Sequence, residues 1–281
     1  MKSGEQYKPN QFNTNQFQTS SPYPQKQPKN AKGYSTYQIN PNDEEINDDP
    51  RFHHSFNNSV VRAKFIRKVY TILTLQLSFT VIFVLPFMFI DEVQEFVDDY
   101  FMLVYVGLAL FIIPYIMLIC WESIRRSFPT NIILLCLMTL GLSIICGFTT
   151  ARLSTEVVFY SFLTTLVVTA TITVMAIFCP FDITSCGMVL CILTLILAIY
   201  GMIAIILTIL LRTKIYQLIF SAIAVILFSL FLMFDTQSIM GGRRVSLSPE
   251  DYIMAAIQLY VDIIEIFINL QIIINACLEW D

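Results

Sequence analysis

ITSCGMVLCILTLILAIYGMIAIILTILL, residues 183–211, runs from end to end without a charged side chain. A helix rises about 1.5 Å per residue, and about 20 apolar residues cross the hydrocarbon core of a bilayer, so this stretch is long enough to span a membrane. Five comparable runs lie on either side of it: Val69 to Ile90, Leu103 to Trp121, Ser127 to Ala151, Val157 to Phe181, and Ile215 to Phe234. A seventh, from about Tyr252 to Leu278, is equally apolar apart from Asp262 and Glu265. Composition agrees, with 56% hydrophobic residues, 14% charged and a mean hydropathy of +0.67, against about 25% charged in an ordinary soluble domain. The expected fold class is an all-α membrane protein, a seven-transmembrane-helix bundle over residues 59–281.

Residues 1–58 are a different material. They hold six of the eleven prolines, no Leu and no Val, and end in an acidic patch of Asp43, Glu44, Glu45, Asp48 and Asp49. Such a stretch cannot bury enough apolar area to offset its ordering entropy, so a disordered N-terminal tail rich in Pro, Gln and Asn is expected on the cytosolic side. Its Pro, Tyr and Gln content would suit a docking motif. No apolar run follows Met1, so the first membrane helix is expected to direct targeting.

Orientation follows from the bases, because Lys and Arg near helix ends are retained on the cytosolic side. Arg62, Lys64, Arg67 and Lys68 precede the first span, Arg125 and Arg126 follow the second, and Arg243 and Arg244 follow the sixth. If spans alternate, these share one side, while Arg152, Arg212 and Lys214 lie on the other with the acidic loop Asp91 to Asp99. The N-terminus is therefore expected in the cytosol and the C-terminus outside it, the reverse of a G-protein-coupled receptor.

The cysteines, Cys120, Cys136, Cys146, Cys179, Cys186, Cys191 and Cys277, sit within or at the edges of the spans and read as small packing residues. There is no CxxC, no HExxH, no nucleotide-binding glycine loop and no GxSxG elbow, and the only histidines are His53 and His54. No enzyme chemistry, resident cofactor, zinc site or nucleic-acid partner is expected.

The most informative segment is residues 231–271, FLMFDTQSIMGGRRVSLSPEDYIMAAIQLYVDIIEIFINLQ. Gly241 and Gly242 can stop the sixth helix. Ser248, Pro249 and Asp251 make a helix start, with a hydroxyl cap, a proline at the first position and an acid at the positive end of the dipole. Ser246 and Ser248 are also candidate phosphorylation sites, capping being the preferred role of Ser248. Beyond that start, Gln258, Asp262, Glu265 and Asn269 recur at i, i+4, i+7 and i+11, a stripe roughly 60° wide at about 100° per residue. A polar stripe inside a membrane must face protein or water.

Asp235 precedes the glycine stop by about 8 Å of helix, and Asp262 lies about 15 Å into the next helix. Side chains lean toward their own helix N-terminus, so across an antiparallel pair these two acids converge. Two carboxylates in one low-dielectric site share a proton or bind a cation. The alternative is that Asp235 pairs with Arg125, Arg126, Arg243 or Arg244 at the membrane edge.

RAKFIRKVYTILTLQL entering the first span, RRSFPTNIILL entering the third, FDITSCGMVL before the fifth, and MFDTQSIMGGRRVSLSPEDYIMAAIQLYVDIIEIF resemble the lifeguard branch of the transmembrane Bax-inhibitor-motif family, from about Arg62 to the end. The resemblance implies a seven-helix bundle, calcium leak from the endoplasmic reticulum or Golgi, and suppression of cell death. Bacterial relatives resemble a pH-sensitive leak built on paired aspartates of the last two helices, and Asp235 and Asp262 fall on those positions. Glu265 departs from the pattern, adding a negative charge where relatives often carry Tyr or Asn. The second span also lacks the acid of the bacterial relative and offers Pro114, a kink, with Arg125 or Arg126 the candidate latch.

The function expected is thus a pH-sensitive calcium leak of intracellular membranes that modulates store calcium and cell-death or stress signalling. Calcium is the permeant ion, held transiently by Asp235 and Asp262. The expected partners are the lipid bilayer and cell-death regulators or calcium-release channels. A non-conducting scaffold acting on another protein's calcium release is the alternative reading. An intramembrane aspartyl protease also places one Asp on each of two late helices, but its GxGD and PAL sequences are missing here.

Overall fold

The computed structural model describes residues 50–279, so the tail expected over residues 1–58 lies, up to residue 49, outside them. The helices are α1 (Pro50–Phe89), α2 (Asp91–Asp99), α3 (Leu103–Cys120), α4 (Glu122–Arg126), α5 (Thr130–Thr150), α6 (Thr155–Phe178), α7 (Gly187–Leu211), α8 (Ile215–Met240) and α9 (Tyr252–Glu279). Among the described residues every regular element is helical, and seven helices, α1, α3 and α5 to α9, are long and apolar enough to cross a membrane. The expected all-α, seven-span class is therefore the observed one.

Two boundaries differ from the sequence reading. The first helix reaches back beyond Val69 to Pro50, so the expected tail boundary at residue 58 falls inside α1. Once the apolar turns nucleate a helix, each further residue adds a hydrogen bond for its own ordering cost, and a polar lead can continue it. The acidic first loop is itself the short helix α2, with Val97 buried beneath its acids.

The spans are not equivalent. α9 packs against α1, α5, α6 and α8 and buries Ile253, Ile257, Leu259, Tyr260 and Ile266 in the main core. α7 packs on α8 and buries only Leu190, Leu197 and Ala204, leaving residues such as Met202, Ile209 and Leu210 exposed, as lipid-facing side chains should be. α3 and α5 meet backbone to backbone. A Cβ on Gly141 would lie 2.5 Å from the Phe111 nitrogen, and one on Gly107 would lie 2.8 Å from Ile144 Cγ2. Small residues at such a crossing let membrane helices gain dispersion contacts where no hydrophobic force drives them together.

At the end of the bundle that carries the α8–α9 turn, Gly241 and Gly242 take φ of +75° and +74° and stop α8. Arg62 of α1 reaches over that stop and donates from Nη1 to the carbonyls of Ile239 (3.3 Å) and Leu247 (2.8 Å). A Cβ on Gly241 would lie 2.7 Å from the Arg62 guanidinium, so the glycine gives both the turn and the space. Ser248 caps the short turn before α9, its hydroxyl accepting from the Glu250 amide at 3.5 Å. At the opposite end, Arg152 pairs with Asp98 at 3.4 Å and Lys214 with Glu279 at 2.9 Å.

Candidate functional site

Asp235 lies in the last turns of α8, in a run from Asp235 to Ile239 that is buried throughout. Asp262 lies on the α9 face turned toward α8. The two side chains are 3% and 5% exposed, and their carboxyl groups are neighbours. Gln258, one turn before Asp262, donates from Nε2 to Asp235 Oδ1 at 3.2 Å. Asp262 Oδ2 and Gln258 Oε1 are buried without a partner.

The remaining members of the polar stripe stand apart from this pair. Asn269 donates from Nδ2 to the Glu265 carbonyl at 2.8 Å and to Glu265 Oε2 at 3.4 Å. Among the described residues no three His, Cys, Asp or Glu side chains gather closely enough to hold a metal ion, so Glu265 does not complete a three-carboxylate cage.

None of the arginines that could have neutralised Asp235 pairs with it among the described residues, and Arg125, Arg126 and Arg243 are engaged elsewhere. Arg125 is buried, with Nε 3.1 Å from Asp251 Oδ1 and Nη1 donating to the carbonyls of Leu118 (3.2 Å) and Ile119 (3.1 Å). It therefore ties the C-terminal end of α3 to the start of α9. Arg126 joins Asp251 at 3.3 Å, Glu122 at 2.8 Å and Glu250 at 2.9 Å. The hydrogen bond to Asp251 raises the Arg126 pKa above its ordinary value. Arg243 donates to the carbonyls of Cys179 (2.6 Å) and Pro180 (3.1 Å); Arg244 donates its backbone amide to Asp182 Oδ2 at 3.0 Å, and its guanidinium forms no described ion pair with Asp235. The edge-pairing alternative for Asp235 is thus not what the structure contains.

Three contributors were not singled out from the sequence. Asp251, read there as a dipole acid, is the common partner of both arginines. Gln237, two residues past Asp235, accepts from the Ile183 amide at 3.0 Å and donates to the Phe181 carbonyl at 3.0 Å, fixing the α6–α7 turn to α8. Tyr115 of α3 lies in the neighbourhood of Asp262, Asp235 and Glu265. The second span thus brings a phenol rather than an acid toward this region, and its only cue in the sequence is the neighbouring Pro114.

Further along α9, Tyr260 Oη lies 2.7 Å from Thr80 Oγ1, which lies 2.9 Å from Ser143 Oγ. Gln76 donates to Thr139 Oγ1 at 2.9 Å. These bonds join α1, α5 and α9 through buried polar groups.

Seven spans with a protonatable carboxyl pair between the last two define a polytopic helical membrane protein whose polar interior is built around its final helix. Residues 62–277 match the family described as inhibitor of apoptosis-promoting Bax1, and the chain belongs to that family. It is 37% identical over 207 residues to Protein lifeguard 3 of Homo sapiens, an alignment covering 74% of this chain and 67% of that protein. Identity to Protein lifeguard 3 of Mus musculus is 36%, with the same coverage. The chain is also 29% identical over 210 residues to the Golgi anti-apoptotic protein of Vaccinia virus (strain Lister), covering 75% of this chain and 84% of the viral protein.

Proposed function

We propose that this protein is a pH-sensitive calcium leak of an intracellular membrane, with its N-terminus in the cytosol, in which the Asp235–Asp262 pair closes the cytosolic end of a cation path. The observation that carries the reading is a buried acid facing a second buried acid, with no described cation beside either. While the pair shares a proton it is a neutral, hydrogen-bonded bridge between α8 and α9. When that proton leaves, two like charges repel across the helix interface and offer hard oxygen ligands to calcium. Two carboxylates without a dedicated loop make a weak site, as conduction requires. Tyr115, Pro114 and the Arg125–Asp251 tie support α3 as the element that moves when the pair separates.

The relatives support an endoplasmic reticulum or Golgi membrane and a part in cell-death control, through a Golgi protein named as anti-apoptotic and a family described as inhibiting a promoter of apoptosis. Store calcium is the link between the two roles, and no enzymatic step is involved. A non-conducting scaffold for a calcium-release channel or cell-death regulator is the competing reading. Calcium efflux from liposomes holding only this protein separates them. A leak gives efflux above protein-free vesicles that Asp262→Asn alters, whereas a scaffold gives none.

A further inference from the structure

On the end of the bundle that holds the α8–α9 turn, Lys64, Arg67, Lys68 and Thr71 follow one another at i, i+3, i+4 and i+7, so α1 presents them on a single face. They line an open hollow of about 530 Å³ whose other walls are Ile72, Phe128, Ile132 and Tyr252. We propose that this hollow binds the headgroup of an anionic phospholipid in the cytosolic leaflet.

Three observations carry the proposal. First, charge compensation here is unlike that of Arg62, Arg125, Arg126 and Arg243 near the same end. Arg125 and Arg126 have carboxylate partners, and Arg62 and Arg243 donate to backbone carbonyls. Lys64 and Arg67 have no acceptor among the described residues, and Lys68 lies 3.2 Å from the ring centroid of Tyr252 with no acid beside it. Second, the hollow is graded. Its cations lie toward the N-terminal end of α1, and Ile72 and Ile132 lie where the uncharged runs of α1 and α5 begin. From Lys64 to Ile72 the helix advances about 12 Å, so phosphate would meet the cations while the glycerol and first acyl carbons meet the apolar wall. Third, Phe128 is 82% exposed at the rim, a poor arrangement in water and an ordinary one for an aromatic anchor at the membrane interface. A free phosphate would use the cations and leave Phe128, Ile72 and Ile132 wet. A phospholipid uses both halves, and basic pockets between membrane helices on the cytosolic side suit such headgroups.

The full-length protein is reconstituted in phosphatidylcholine vesicles containing a minor fraction of phosphatidylinositol bisphosphate, extracted in mild detergent, and its retained lipid counted by native mass spectrometry. The readout contains no calcium flux, so failure of the leak proposal leaves it unaffected. The wild type should retain the anionic lipid. K64Q/R67Q should retain roughly 25-fold less, the product of about fivefold for each cation near an anionic headgroup. K64R/R67K keeps both charges and should retain it, and R212Q, at the opposite end of the bundle, should not differ from wild type. An excess of soluble inositol trisphosphate should displace little of it, because that competitor lacks the apolar half. Equal retention by K64Q/R67Q and wild type would overturn the proposal. Complete displacement by inositol trisphosphate would also overturn it and mark the hollow as a soluble-phosphate site.

Discussion

Asp251 and Asp262 lie at the start and in the interior of the same membrane span, yet their surroundings are opposite. Asp251 meets two arginines, Arg125 and Arg126, whereas Asp262 meets another acid, Asp235. The first arrangement is complete as it stands, with charge, partner and backbone carbonyls matched. The second sets two acids side by side with no described cation, and one oxygen of Asp262 lacks a partner. An acid supplied with cations is a tie, and in the function proposed above an acid supplied with an acid is a switch. Asp251 lies in the short turn that opens the span and Asp262 within α9, so both bear on how α9 sits against its neighbours.

The largest effect should come from breaking the tie at its buried member. Arg125→Met removes the donor to the Leu118 and Ile119 carbonyls and leaves Asp251 with its more exposed partner. A loss of about 2–3 kcal/mol is expected, since stranding a largely buried pair is costly, read as a lowered Tm of the purified protein in detergent. Next comes one substitution at two places. Asp251→Asn should cost about 1–2 kcal/mol, because a charge-assisted bond becomes a neutral one. Asp262→Asn should leave Tm unchanged or raise it, because it removes an acid that has no cation. Equal losses at both positions would erase the distinction between tie and switch.

Smaller again is Arg126→Gln. Its side chain is 36% exposed, so the drop in Tm should be slight and should vanish in high salt. The smallest effect concerns Asp182, whose pKa is lowered first by the hydrogen bond from Thr184 and then by the Arg244 amide. A depressed carboxylate contributes stability above its unfolded pKa of about 3.9 and loses it as pH falls through the folded value. Asp182→Asn should therefore lower Tm slightly at neutral pH and match wild type in strong acid. A difference that persists in acid would contradict the assignment.

The seven spans were legible because each is a long uncharged run, and hydropathy needs no tertiary information. Asp235 and Asp262 were legible because helical periodicity and the antiparallel turn between them suffice to bring them to one face. The function of Asp251 was not, since its arginines come from a distant loop and any acid near a helix start satisfies the local dipole argument. Tyr115 was hidden for a related reason, as one aromatic among many in an apolar span carries no sign of what it faces. The start of α1 at Pro50 escaped because composition measures what a segment can bury, and a helix nucleated by its neighbour has little need to bury anything.

The central claim is that a shared proton between Asp235 and Asp262 controls a calcium path. Calcium efflux from liposomes, recorded at a fixed calcium gradient across a pH series for wild type and for Asp235→Asn/Asp262→Asn, tests it most directly. Efflux through the wild type should rise as pH rises and the pair loses its proton, while the double variant, folded to the same Tm, should give a flat profile. A wild type that does not respond to pH, or a double variant that responds as the wild type does, would contradict the account.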